Sequence, residues 1–255
     1  MYYEDKGNKI FGGRGFRLDF PHHIHNAVEI AWMQKGSATL KIGDKVYAIT
    51  SGDVFMVFPN QVHSYISFDR EEYLLYVIPE AILKPYKKWL YNFASEKPII
   101  KICEESKLYF NNIEKEILSP NKFSENMICA YAQALLGISL KKLTLTEQST
   151  ARSRLNKIIS FCIDNVSREL SLEVLSKELF LSKSHISHLF SNHLGITFTQ
   201  YINTLRINEA THLLDSTDKK ISDIAFSCGF SDIRTFNRVF KKVTLLSPRE
   251  YRNKI

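Results

Sequence analysis

The stretch Ile221-Ser222-Asp223-Ile224-Ala225-Phe226-Ser227-Cys228-Gly229-Phe230-Ser231-Asp232, continuing into Phe236-Asn237-Arg238-Val239-Phe240-Lys241-Lys242, decides how the second half of this chain folds. Ile221, Ile224 and Ala225 share one face of a helix, a turn follows, and Ser231-Asp232 supplies an N-cap for a second helix. The same order occurs once earlier, as Leu172, Leu175-Ser176, Leu179, Leu181-Ser182, Ile186, Leu189-Phe190 and Tyr201, matched by Ile221, Ile224-Ala225, Cys228, Phe230-Ser231, Phe236, Val239-Phe240 and Tyr251. The offset is 49 up to Ser182/Ser231 and 50 from Ile186/Phe236, so the second copy carries one extra turn residue. An internal repeat of this kind reads as two copies of one supersecondary unit, here helix, turn, helix.

In each copy the helix after the turn has an apolar stripe, Ile186, Leu189 and Phe190 in the first and Phe236, Val239 and Phe240 in the second. The opposite stripe is polar: Ser184, Ser187, His188 and Ser191, then Arg234, Asn237, Arg238 and Lys241. A helix so divided can keep its apolar side on the protein and present hydrogen-bonding groups to base edges in a major groove. A tandem helical hairpin with a merely solvated polar face has the same pattern. Charge separates the two readings somewhat. From Arg152 to Ile255 there are 16 Lys and Arg against 10 Asp and Glu, which leaves 18 against 17 before it, so most of the net +7 sits where an acidic polymer would be met.

The segment from about Leu155 to Arg252 resembles the DNA-binding domain of AraC/XylS-type transcription regulators. The resemblance rests on Ser182-x-x-x-Ile186-Ser187-x-Leu189-Phe190, Gly195-Ile196-Thr197-Phe198 and Tyr201; on Leu205-Arg206-Ile207-Asn208-Glu209-Ala210 and Leu213-Leu214; and on the second-copy stretch above with Ser247-Pro248-x-x-Tyr251-Arg252. It implies base-reading positions at Ser184, Ser187 and His188, then Ile233, Arg234, Asn237 and Arg238, with Lys241 on the same face. It also implies a stiff connecting helix over about Thr199 to Leu214, setting the two reading helices into successive major grooves about 34 Å apart. One departure is Leu245, where the family has Gly after the second reading helix and the first copy keeps Gly195. Leu245 must enter the left-handed region at a cost or end the helix differently.

Working outward, Leu145 to Arg154 is polar and lacks a period, which predicts a linker over 145–154 and a DNA-binding domain over 155–255. Before it, Leu108, Ile113 and Ile117 predict a helix ended by Ser119-Pro120-Asn121, and a second helix runs from about Glu125 to Leu143. This 99–144 segment is read either as a dimerisation element, as the resemblance implies, or as packing helices. Residues 1–98 read as strands: Val28 to Trp32, Ala38 to Ile42, Val46 to Ile49 and Val54 to Phe58 are separated by Lys35-Gly36, Gly43-Asp44, Ser51-Gly52-Asp53 and Pro59-Asn60, which predicts a sandwich or small barrel. The fold class is therefore α+β: an N-terminal cupin-like β-barrel with a helical segment, then an all-α domain with two helix-turn-helix units.

His23-x-His25-x-x-x-Glu29 with Gly36 resembles the first cupin motif, and Gly52-Asp53 through Pro59-x-x-x-His63 an imperfect second one. Residues two apart in a strand share a side, so His23 and His25 can converge with Glu29 and His63. Three imidazoles and a carboxylate suit zinc, manganese, iron or nickel. The competing reading makes these residues the lining of an effector pocket, with Trp32 and Tyr65 beside them and Tyr47 nearby. No cofactor is required under that reading.

The four cysteines form no C-x-x-C pair and read as buried small hydrophobes of a reducing compartment. No apolar run is long enough for a membrane span, and no secretory signal is visible at the N-terminus, so a cytoplasmic protein with no membrane partner is expected. The expectation is a non-enzymatic regulator, an activator, that binds double-stranded DNA as a homodimer. A small-molecule effector in the barrel, a sugar or another metabolite, controls it, and RNA polymerase is a further partner. The alternatives are a metal-dependent cupin enzyme with an ancillary DNA-binding tail, and a constitutive regulator with a vestigial barrel.

Overall fold

A computed structural model of the chain describes residues 2–3, 9–68 and 70–253; the outermost ends of the domains expected over 1–98 and 155–255 lie outside the described residues. The chain divides into two compact units that part between Ser149 and Thr150.

After the short β1 (Tyr2–Tyr3), the first unit is built from β2 (Phe11–Gly15), β3 (Phe20–Ile24), β4 (Ala27–Lys35), β5 (Ser37–Ile42), β6 (Lys45–Thr50), β7 (Asp53–Val57), β8 (His63–Ser67) and β9 (Glu72–Pro79). With β11 (Ile99–Lys101) they form two antiparallel sheets, one in the order β3-β8-β5-β6 and one in the order β11-β7-β4-β9-β2. The space between the sheets is filled by Leu18, Ala31, Met33, Leu40, Phe55, Val57 and Tyr65. The other face of the second sheet carries Val28, Ile30, Val54, Met56, Leu74, Tyr76 and Ile78, the alternate residues of the same strands. Because β4 and β7 are covered on both faces, they read as continuous apolar runs.

What covers that second face is a helical hairpin, reached through α1 (Lys87–Asn92): α2 (Glu104–Leu118) and α3 (Ser124–Lys142). Phe110, Ile113, Ala132, Leu135 and Leu136 are fully buried in the same cluster as the strand residues, and Tyr76 stacks on Phe110 and donates its hydroxyl to the Phe110 carbonyl at 3.1 Å. These helices are therefore packing helices of the barrel. They also leave Leu108, Leu118, Phe123 and Met127 exposed on their far side.

Two boundaries differ from expectation. Ile99–Lys101 pairs with Asp53–Phe55 as a strand, so the helical segment expected from 99 begins only at Glu104. The expected linker 145–154 is mostly ordered structure: β12 (Leu145–Glu147) pairs with β10 (Phe93–Ser95), and α4 (Thr150–Asp164) starts five residues before Leu155. Polar Thr and Glu suit an edge strand, and Ala151-Arg152-Ser153-Arg154 contains no helix breaker, so neither is detectable as an apolar period.

The second unit is all helix: α4, α5 (Leu172–Leu179), α6 (Lys183–Leu194), α7 (Phe198–Ser216), α8 (Ile221–Ser227), α9 (Ile233–Thr244) and α10 (Pro248–Arg252). Helix α7 serves both repeats. Its first half contributes Phe198 and Tyr201, whose rings lie 5.5 and 5.3 Å from Phe190 of α6. Its second half contributes Ile207, Ala210 and Leu214 to a core with Ile224, Phe230, Phe236 and Phe240.

Candidate functional site

The reading helices α6 and α9 are set by the same local devices. Ser182 caps α6 by accepting from the His185 amide, and Asp232 caps α9 by accepting from the Thr235 amide at 2.7 Å. Ser182 and Asp232 are 50 residues apart, so the extra residue of the second copy lies in the turn, where the left-handed residue is Phe180 in one copy and Gly229 in the other. Ile186, Leu189 and Phe190 are buried, as are Phe236, Val239 and Phe240. Ser184, Ser187 and His188 are exposed on α6; Arg234, Asn237, Arg238 and Lys241 are exposed on α9; Ile233 is half-buried against the core. Both polar stripes thus face outward. The α9 stripe is cationic and the α6 stripe is not.

Asn237, Arg238 and Lys241 also line a groove with Ser222, Lys242 and Arg249. The last three are not site candidates on the sequence pattern: Ser222 lies on α8, Arg249 on α10, and Lys242 stands beside the polar stripe of α9. A helical period on α9 alone cannot reveal a groove made by three helices.

Two further residues hold the frame. Arg206 of α7 donates to the carbonyls of Val166 at 3.2 Å and Arg168 at 2.8 Å, and its guanidinium lies 5.7 Å from the Phe230 ring centroid. It ties the chain after α4 to the connecting helix and the second turn. Gly229 sits at φ 86, where an added Cβ would lie 2.9 Å from the Val166 carbonyl oxygen and 3.0 Å from Arg206 Nε, so glycine is required there. Leu245 caps α9 at φ 65, the left-handed conformation that Gly195 takes after α6 at φ 66.

In the first unit β3, β4 and β8 bring His23, His25, Glu29 and His63 together, each no more than 3% exposed. One nitrogen or oxygen from each lies within 4.8 Å of all the others. The register explains it: His23 pairs directly with His63, His25 lies just past the end of β3, and Glu29 is an inward residue of β4. Each imidazole points Nδ1 at a backbone carbonyl: His23 at Pro21 (2.9 Å), His25 at Ala27 (3.2 Å) and His63 at Gln61 (2.9 Å). Glu29 Oε1 accepts from the Tyr65 hydroxyl, while Oε2 lies 3.1 Å from His25 Nε2 and 3.5 Å from His63 Nε2.

Electrostatics sharpen this arrangement. Burial alone would raise the Glu29 pKa, but the hydrogen bonds and charges of His25 and His63 outweigh it and hold the carboxyl well below the usual carboxylate range. His23 is pushed down to about 3, first by burial and then by the neighbouring His63, so its ring is neutral at pH 7. Burial, with the Glu29 charge next, raises the Tyr65 phenol well above its ordinary value and keeps it a donor. His63 Nε2 is buried with no hydrogen-bond partner. Three imidazoles with fixed Nδ1 atoms and one oriented carboxylate are a donor set that fits a borderline divalent metal.

Trp32 is not part of this cluster. It lies three residues from Glu29 on the same strand, an odd step, so its side chain joins the helix-facing layer, 6.0 Å from the Phe110 ring. Tyr47 is partly buried and donates its hydroxyl to the Glu96 carbonyl at 2.9 Å.

Comparison with known proteins agrees with both sites. Residues 14–82 match the family described as AraC-like ligand binding domain, and residues 175–254 match a family described as helix-turn-helix domain. Over nearly the whole chain it is similar to two curated proteins, both called HTH-type transcriptional activators. One is RhaR of Mannheimia succiniciproducens, 25% identical, covering 94% of this chain and 90% of that protein. The other is RhaS of an Enterobacter species, 27% identical, covering 91% and 87%. Among solved structures, ToxT from Vibrio cholerae shares the fold at TM-score 0.59 and 18% identity, covering 97% of this chain and 98% of that one. These relatives are regulators, not enzymes, and a cupin enzyme with a DNA-binding tail is set aside on that ground. The chain belongs to the AraC-type transcription regulators, with an AraC-like ligand-binding domain followed by a helix-turn-helix DNA-binding domain.

Proposed function

We propose that this regulator activates transcription in the cytoplasm, acting as a homodimer, and that α9 supplies most of its base discrimination. The observation that carries the reading is the contrast between the two exposed stripes: Arg234, Asn237, Arg238 and Lys241 on α9 against Ser184, Ser187 and His188 on α6. Arg pairs bidentately with guanine and Asn with adenine, whereas short serines reach few base edges. Genome-wide mapping of bound sites defines the operator, and Arg238→Ala is then tested on that operator and its single-base variants. The expected loss is about 1–3 kcal/mol on the native operator, with relaxed preference at one base pair. A loss that is uniform across all sequences places Arg238 on phosphate and refutes the assignment.

The effector reading is a small polar metabolite, a sugar, held between the sheets. It is supported by a buried hydrogen-bonding cluster of His23, His25, Glu29, His63 and Tyr65 inside a domain of the ligand-binding family. An effector acts only through its differential affinity for two states of the protein, one competent to engage DNA and RNA polymerase productively. Titration of candidate sugars that leaves operator affinity and promoter activity unchanged counts against it. The homodimer is supported by the exposed apolar residues Leu108, Leu118, Phe123 and Met127 on the far side of the α2–α3 hairpin.

A further inference from the structure

We infer that the first unit binds one divalent transition-metal ion, held by His23, His25, His63 and Glu29. The inference rests on hydrogen-bond accounting and does not depend on the effector being a sugar. A backbone carbonyl only accepts, so each ring facing one through Nδ1 must carry its proton there. A neutral imidazole with Nδ1–H has a lone pair on Nε2. Two such atoms, on His25 and His63, lie 3.1 and 3.5 Å from Glu29 Oε2, which has only lone pairs to offer. Acceptors converging at full burial require a cation among them. A metal ion answers all of these groups at once.

The geometry has the right scale. Metal–nitrogen and metal–oxygen bonds of about 2.1 Å place tetrahedral ligands roughly 3.4 Å apart, and the four donor atoms here all lie within 4.8 Å of one another. The carbonyls of Pro21, Ala27 and Gln61 fix the tautomers, and Tyr65 occupies the other carboxylate oxygen, so Oε2 is left to face inward. Such outer partners orient metal ligands. Three imidazoles exclude calcium and magnesium, which take oxygen ligands, and favour zinc, iron(II), cobalt(II) or nickel(II).

The test uses the full chain, stripped with chelator and titrated with Co(II) and Zn(II). Three readouts are followed: bound metal per chain, the visible Co(II) spectrum and the thermal midpoint. One equivalent, a spectrum of nitrogen and oxygen ligation and a raised midpoint are expected. His63→Ala should abolish stoichiometric binding, and Tyr65→Phe, which leaves all four ligands in place, should weaken it roughly 10–100-fold. Cys103→Ser/Cys129→Ser should bind as the parent does. Folded parent protein that takes up no stoichiometric metal overturns the inference and shows that ring protons supply the cation. So does uptake that survives His63→Ala or is lost with the two cysteines. Metal uptake by the parent protein is decisive by itself, even where a variant fails to fold.

Discussion

Replacing Leu245 by glycine should stabilise the second unit. Leu245 closes α9 with φ 65 and ψ 1, and its side chain is 82% exposed, so little apolar contact is lost when it is removed. The left-handed conformation costs an L-residue about 1–2 kcal/mol. Glycine avoids that cost but gives back about 0.5–1 kcal/mol through a more disordered unfolded chain. The cap hydrogen bond, Leu245 N–H to the Lys241 carbonyl at 3.0 Å, is main-chain and survives. The net gain is about 0.5–1 kcal/mol, a rise of about 3–6 °C in the midpoint of a unit this size. Two probes separate the units. Both tryptophans, Trp32 and Trp89, lie in the first unit, whereas the second is all helix. Circular dichroism should therefore show the later transition while tryptophan fluorescence stays unchanged. The repeat provides the reverse control: at Gly195 an added Cβ meets nothing within 4 Å, so Gly195→Leu should cost about 1 kcal/mol for conformation alone. If Leu245→Gly lowers the dichroism midpoint, or moves both probes equally, conformational strain is not what Leu245 contributes.

Gly229→Ala should destabilise the same unit by about 1–3 kcal/mol, because the methyl would press on the Val166 carbonyl and Arg206 at a left-handed φ; an unshifted dichroism midpoint would mean that the turn relaxes freely. Asp53 makes the first unit acid-sensitive. Burial raises its pKa, but hydrogen bonds from Lys101 and from the Thr50 amide and hydroxyl outweigh burial and leave it below the ordinary value. A folded pKa below the unfolded value of about 3.9 gives stability that is complete above that pH and lost as pH falls through the folded value. Tryptophan-detected unfolding should show this loss in the parent, and Asp53→Asn should flatten it.

Much of the architecture can be read from residue order because the repeat supplies its own check. Ser182 and Asp232 mark helix starts twice, and the 49-to-50 offset locates the extra residue in a turn. The barrel cluster is legible for a similar reason: His23, His25 and Glu29 are separated by even steps, and step parity assigns faces. The same parity rule places Trp32 with the helices, since its step from Glu29 is odd; grouping it with the histidines follows its chemistry and ignores its position. The three-residue strands β11 and β12 are too short to show a period. Arg206 is visible in the sequence only as one letter in a motif, because its role comes from carbonyls 38 and 40 residues earlier in the chain.

Strand β4 has no spare side. Its odd-numbered residues, Glu29 among them, belong to the interior between the sheets, and Val28, Ile30 and Trp32 belong to the bed on which α2 and α3 rest. Gain or loss of a single residue near position 28 would exchange these sets, driving isoleucine and valine into the polar interior and a carboxylate under the helices. Evolution can therefore retune this sensor by swapping letters but not by shifting the reading of the strand, and variation in length is confined to the turns beyond its ends.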